Sequence, residues 1–195
     1  ALYASGYIFF LKGDIKKSEE LFKKALELDE TNALALNNLG AVQLSQKYYT
    51  QAVNLVRKAI QINPKEPMFF MNLETIYKQM GDPNLIIADY NFYLKEKEDL
   101  DLIRGYGMAV GRNMRQASFR LYKEGYLNKT ILKWVEIEKI YKEIDHQSGL
   151  VPVYFSLGIL YEEKGDFQKA KNYFDLVLKL NPLHIQAKER QNNIR

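Results

Sequence analysis

Between Val151 and Pro182 apolar positions recur at helical spacing, stop at a turn, and recur again. Tyr154, Leu157 and Tyr161 stand at i, i+3 and i+7, and Ala170, Phe174 and Val177 repeat the stripe. Residues so spaced share one face of a helix, which predicts two amphipathic helices. Gly165 between them can take the left-handed conformation that ends a helix, and Asp166 can cap the next through its side-chain oxygen. Gly158 and Ala170 are the small residues where the two helices would cross. Larger side chains there would push the axes beyond the usual ~8–10 Å. Pro182 fits where the second helix has stopped and another is about to begin. One such hairpin cannot bury its own apolar face, so copies are expected.

Copies are present. Gly6, Phe9, Gly13-Asp14, Ser18, Phe22 and Ala25 hold the same places in a first repeat, with helices predicted at about 2–12 and 15–28. Leu36, Leu39-Gly40, Ala52, Val56, Ala59 and Asn63-Pro64 mark a second, with Lys47-Tyr48 in place of Gly-Asp at the turn. A third is degenerate. Phe70, Leu73 and Tyr77 keep register, and Gly81-Asp82-Pro83 reads as stop, cap and first helical residue. Glu74 and Ile86 replace the small crossing residues there, which predicts a wider hairpin. The repeats run over about 1–32, 33–66, 67–100 and 151–182.

The run Tyr154-x-x-Leu157-Gly158-x-x-Tyr161, Gly165-Asp166, Ala170-x-x-x-Phe174, Asn181-Pro182 resembles the tetratricopeptide (TPR) repeat, with Tyr154 where the pattern has Trp. The resemblance covers about 1–98 and 151–182. It implies an all-α fold, a right-handed superhelix of antiparallel helix hairpins (an α-solenoid) forming one helical-repeat domain.

Residues 101–150 break the register, being one repeat plus 16 extra residues. They read as an elongated, divergent hairpin with helices near 100–123 and 129–146, Gly125 and Asn128 in its turn, and Asn128 or Thr130 as cap. Gly105, Gly107 and Gly111 there either kink the first helix or admit a close neighbour. A polar tail, 183–195, reads as a capping helix. The chain opens without Met or a basic leader, which suggests a fragment of a longer protein. The compartment is left open, with a slight lean to the cytoplasm.

Composition changes little. With 28 basic and 24 acidic residues, net charge is +4, and Lys and Glu interleave as on a solvated helical surface. No apolar run nears the ~18 residues that span a bilayer. There is no Cys, hence no disulfide or thiolate site. His146 and His184 stand apart, each near a helix end and without a metal-like partner. Gly105-x-Gly107-x-x-x-Gly111 lacks the strand and Gly-Lys of a phosphate loop. No catalytic residue, metal or cofactor is assigned, and the segment reads as no enzyme.

The resemblance also implies where binding would occur. In the family the first helix of each hairpin lines the concave side. By register this wall would hold Tyr3, Tyr7 and Phe10, then Leu34, Asn37, Asn38 and Ala41, then Met68, Met71, Asn72 and Thr75. Tyr106, Ala109, Phe155 and Ile159 follow less directly. Asn38 and Asn72 match an Asn of the set that grips chaperone C-terminal carboxylates, but the basic partners of that set are missing, which argues against that ligand. The expected function is a protein-interaction scaffold that takes a peptide or helical segment of a partner in this groove, by apolar anchors and Asn contacts. The alternatives are an accessory domain of a larger enzyme, such as a transferase, and a helical-repeat RNA binder, with homo-oligomers possible.

Overall fold

The computed structural model describes residues 2–96 and 99–194. These form eleven helices and no strand. Ala1 of the first repeat, residues 97 and 98 near the end of the third, and Arg195 at the end of the polar tail lie outside the described residues. The helices are α1 (Leu2–Leu11), α2 (Ile15–Leu28), α3 (Ala33–Ser45), α4 (Tyr49–Ile62), α5 (Pro67–Met80), α6 (Leu85–Glu96), α7 (Leu100–Lys123), α8 (Leu127–Glu143), α9 (Gln147–Glu163), α10 (Phe167–Leu180) and α11 (Ile185–Asn193). The chain divides into two compact units, residues 1–109 and 110–195, with the boundary inside α7.

In the first unit α1–α2, α3–α4 and α5–α6 are successive hairpins, and α2 stacks on α3 as α4 does on α5. Gly13 and Gly81 adopt the expected left-handed backbone, with φ of 79° and 90°. Asp14 caps α2, its carboxylate accepting from Lys17 N at 3.1 Å. Lys47 takes the left-handed conformation without being glycine, φ 63°. Pro83 does not open α6; Asp82 Oδ1 accepts from Asn84 N and the helix begins at Leu85.

The crossing glycines show why the register holds. A Cβ at Gly6 would stand 2.9 Å from Cε1 of Phe22, and one at Gly40 2.6 Å from Cγ2 of Val56. Each glycine therefore seats the large residue of its own second helix. In the third hairpin Glu74 and Ile86 are both buried, and α5 meets α6 over a much shorter stretch than the helices of the α1–α2, α3–α4 and α9–α10 hairpins meet each other. A polar cluster fills this region. Tyr77 OH donates to Asp89 Oδ2 at 2.6 Å, and Arg57 Nη2 donates to Tyr77 OH at 2.9 Å and to Asp89 Oδ1 at 2.5 Å. One residue each from α4, α5 and α6 is thus tied together.

In the second unit α9–α10 is the regular hairpin. Gly165 is left-handed, φ 82°, and Asp166 accepts from Lys169 N at 3.2 Å. The elongated hairpin is α7–α8. Neither Asn128 nor Thr130 caps α8: it begins after Tyr126 with no side-chain cap, and Thr130 Oγ1 instead donates to Tyr126 O. The following turn lies at 144–146, with Asp145 left-handed, so α9 starts a turn earlier than the repeat pattern alone suggests.

That turn holds His146. Its ring meets Tyr141 edge-on at 5.0 Å, and a Cβ at Gly149 would collide with it. Burial, and then the Arg115 guanidinium, hold its pKa below the usual 6.5. The folded state therefore favours neutral His146. Its contribution is fully present above about pH 6.5 and is lost as pH falls through the depressed value. Melting temperature should fall from pH 7 to pH 5, and His146→Gln should flatten that slope. Asp89, whose burial raises its pKa, acts with the opposite sign, so the variant comparison isolates the histidine.

Candidate functional site

The first helices of successive hairpins, α1, α3 and α5, touch one another along one side of the first unit. Helical packing of the small residues at positions 6 and 40 directs the intervening side chains outward on this side. Tyr7, Leu34, Met68 and Met71 are exposed, Tyr7 by 45% and Met71 by 54%. Thr75 is also exposed, its hydroxyl donating to Met71 O at 2.9 Å. Ala41, Asn38 and Asn72 are half-buried.

An amide row runs between these helices. Asn72 Nδ2 donates to Asn37 Oδ1 at 2.8 Å, and Asn37 Nδ2 donates to Asn38 Oδ1 at 3.2 Å. Asn37 is fully buried. Its place is beneath the surface, where it orients the other two amides, and not on the surface where the register put it. The remaining Nδ2 of Asn38 and Oδ1 of Asn72 make no hydrogen bond among the described residues. They are a donor and an acceptor beside exposed apolar side chains, which is what an incoming main chain requires.

Other expected wall residues are placed differently. Tyr3 and Phe10 are partly buried against the core formed by Phe22, Ala25, Ala35, Leu39 and Val42. Tyr106 is fully buried, its ring edge-on to Phe70 at 5.1 Å and stacked on Tyr93 at 5.0 Å. It cannot meet a partner. Gly105 lets this happen, since a Cβ there would strike the Phe70 ring. Phe155, in the second unit, is half-buried between Phe174 and His184. His184 itself caps α11, Nδ1 accepting from Ala187 N.

Among the described residues no three His, Asp or Glu side chains gather as metal ligands would, and no helix is long and apolar enough to cross a membrane. A recess missed by sequence reasoning lies in the second unit, between α7, α8 and α9; Phe119, Tyr122 and Trp134 line it with Ile159 and Leu160. Only the 16 surplus residues hinted at it.

Family comparison agrees with this geometry. Residues 6–47 match a TPR repeat model, and residues 33–66 and 151–184 match tetratricopeptide repeat models. Residues 6–66 and 151–184 thus carry tetratricopeptide repeats. Curated relatives include a Protein STIP1 homolog of Dictyostelium discoideum, 23% identical over 89% of this chain and 28% of the relative. The Homo sapiens Protein O-mannosyl-transferase TMTC3 is 27% identical over 88% of this chain and 21% of its own. A TPR repeat-containing protein of Methanocaldococcus jannaschii is 27% identical over 91% and 31%. The chain thus spans between about a fifth and a third of these relatives. A solved TPR repeats protein of Bacteroides fragilis shares the fold, with a TM-score of 0.52 at 16% identity over 99% of this chain and 96% of that one.

Proposed function

We propose that this segment is a protein-interaction scaffold whose α1–α3–α5 side binds an extended or helical segment of a partner protein. The observation that carries it is the amide row with its free donor and acceptor, set beside exposed Tyr7 and Met71. The buried Asn37 fixes the amides before a partner arrives, which limits the ordering cost of binding. Met68 and Met71 supply adaptable apolar contact. No catalytic role is assigned to the segment.

The test is a peptide selected on the chain from a random library. Tyr7→Ala with Met71→Ala should weaken its binding at least tenfold while the melting temperature stays within about 2 °C, as expected for exposed contact residues. A large drop in stability would place these side chains in the core and end the proposal. A second reading, an accessory repeat region of a larger enzyme, is favoured by the similarity to the human O-mannosyl-transferase. The sequence of the whole gene decides it.

A further inference from the structure

The surplus in the middle hairpin has a definite location. Three first helices, α1, α3 and α9, end five residues after their crossing glycines Gly6, Gly40 and Gly158. In α7–α8 the crossing glycine is Gly111, where a Cβ would stand 2.6 Å from Cζ of Tyr141, and α7 runs twelve residues further, to Lys123. The second helix is lengthened to match. Seven residues more on each arm make this hairpin ~10 Å longer than a regular one at 1.5 Å per residue. Phe119 and Tyr122 lie on this extra length, at positions a regular repeat does not possess.

The extension closes a cleft of about 180 Å³ against α9. Its four hydroxyls already have acceptors: Ser118 Oγ donates to Met114 O, Thr130 Oγ1 to Tyr126 O and Ser156 Oγ to Pro152 O on their own helices, and Tyr122 OH to Glu163 of α9. The walls are otherwise Phe119, Tyr122, Trp134, Ile159 and Leu160. The cleft thus makes no polar demand. It is smaller than the ~300–1,000 Å³ of whole-ligand sites and suits one large apolar side chain.

Ile159 also lines a wider recess of about 560 Å³ with Glu162, Glu189 and Arg190. Arg190 is paired with Glu162 at 2.7 Å, and Glu163, at the border, accepts from Tyr122 OH at 2.9 Å. No lysine lines either recess. Two carboxylates, Glu162 of α9 and Glu189 of α11, line this recess with one guanidinium, and Glu163 follows Glu162 one helical turn along α9 from Ile159.

We infer that the elongated α7–α8 hairpin forms, with α9, a second docking site for a partner peptide bearing a bulky apolar anchor and an Arg or Lys one helical turn away. The anchor fills the cleft, and the cation meets Glu163 and Glu189. The site lies in the second unit and is independent of the Asn37–Asn72 amide row.

Trp134 is the chain's one tryptophan, so its emission reports on this cleft alone. The probes are alanine-based helical peptides with Leu as anchor and Arg or Glu four residues on, and the Arg peptide with Ala as anchor. The Leu/Arg peptide should shift Trp134 emission saturably, and the other two should bind at least tenfold more weakly. Ser156→Leu fills the cleft and should abolish the shift, while Tyr7→Ala with Met71→Ala should leave it unchanged. Glu163→Lys should reverse the Arg-over-Glu preference, a readout that stands if Ser156→Leu fails to fold. The site is overturned if no peptide shifts the emission, if Ser156→Leu or Glu163→Lys behaves as the parent, or if anionic phosphatidylserine vesicles shift it and the peptides do not.

Discussion

Phe174→Ala should lower the unfolding free energy by about 3–5 kcal/mol. Phe174 is fully buried and seats its ring on Gly158, where a Cβ would come 2.8 Å from Cδ1. Truncation removes the apolar burial and leaves a cavity that two helices with fixed turns cannot close. The converse change, Gly158→Ala, should cost about 1–3 kcal/mol by overpacking the same contact. The two sites share one volume, so their effects should not add. Gly158→Ala with Phe174→Leu should be less damaging than the sum of the single changes, because Leu vacates space the new methyl needs. Urea melts at one protein concentration measure the parent, Phe174→Ala, Gly158→Ala, Phe174→Leu and the double change. Additive losses would show that the Gly158–Phe174 contact does not set the hairpin spacing.

Arg57→Ala should destabilise by about 3 kcal/mol, the lower end for breaking a buried pair, because Arg57 remains partly exposed, 41% at its side chain. Its loss leaves Asp89 buried with only Tyr77 as partner, and burial already raises the Asp89 pKa. Asp89 should then take up a proton nearer neutrality, so the deficit shrinks as pH falls. The double change Arg57→Met with Asp89→Leu removes both charges and should recover most of the loss. A full loss in the double variant would mean that hydrogen-bond geometry, more than the uncompensated charge, holds α4 to α5 and α6.

Much of the fold was legible because local rules and tertiary demands coincide in the regular repeats. Gly13, Gly81 and Gly165 end helices as their backbone freedom allows, and Asp14 and Asp166 cap as their short acceptor side chains dictate. The apolar stripes and the small crossing residues placed three hairpins by spacing, and the apolar stripe with its Gly81-Asp82 stop placed the third repeat. Turn chemistry was less legible where it departed from this rule. Lys47 is left-handed and Tyr126 precedes α8 without capping it, since packing on either side overrides a local preference of about 1 kcal/mol.

Within the candidate site, sequence determined which helix carries each residue and which residues share a row. It could not determine depth. Asn37 and Tyr106 were expected on the wall and lie beneath it, because burial depends on neighbours distant in the chain: Asn72 for one, Phe70 and Tyr93 for the other. The same holds for the middle hairpin. Its surplus length was countable in the sequence, and its first helix was placed to the residue, while the second, expected at 129–146, begins two residues and ends three residues earlier. That Gly111 is the crossing point, and that the extra turns bring Phe119, Tyr122 and Trp134 against Ile159, only the tertiary structure decided. Periodicity records which face of a helix is apolar, and three-dimensional packing alone decides whether that face meets core, partner or open water.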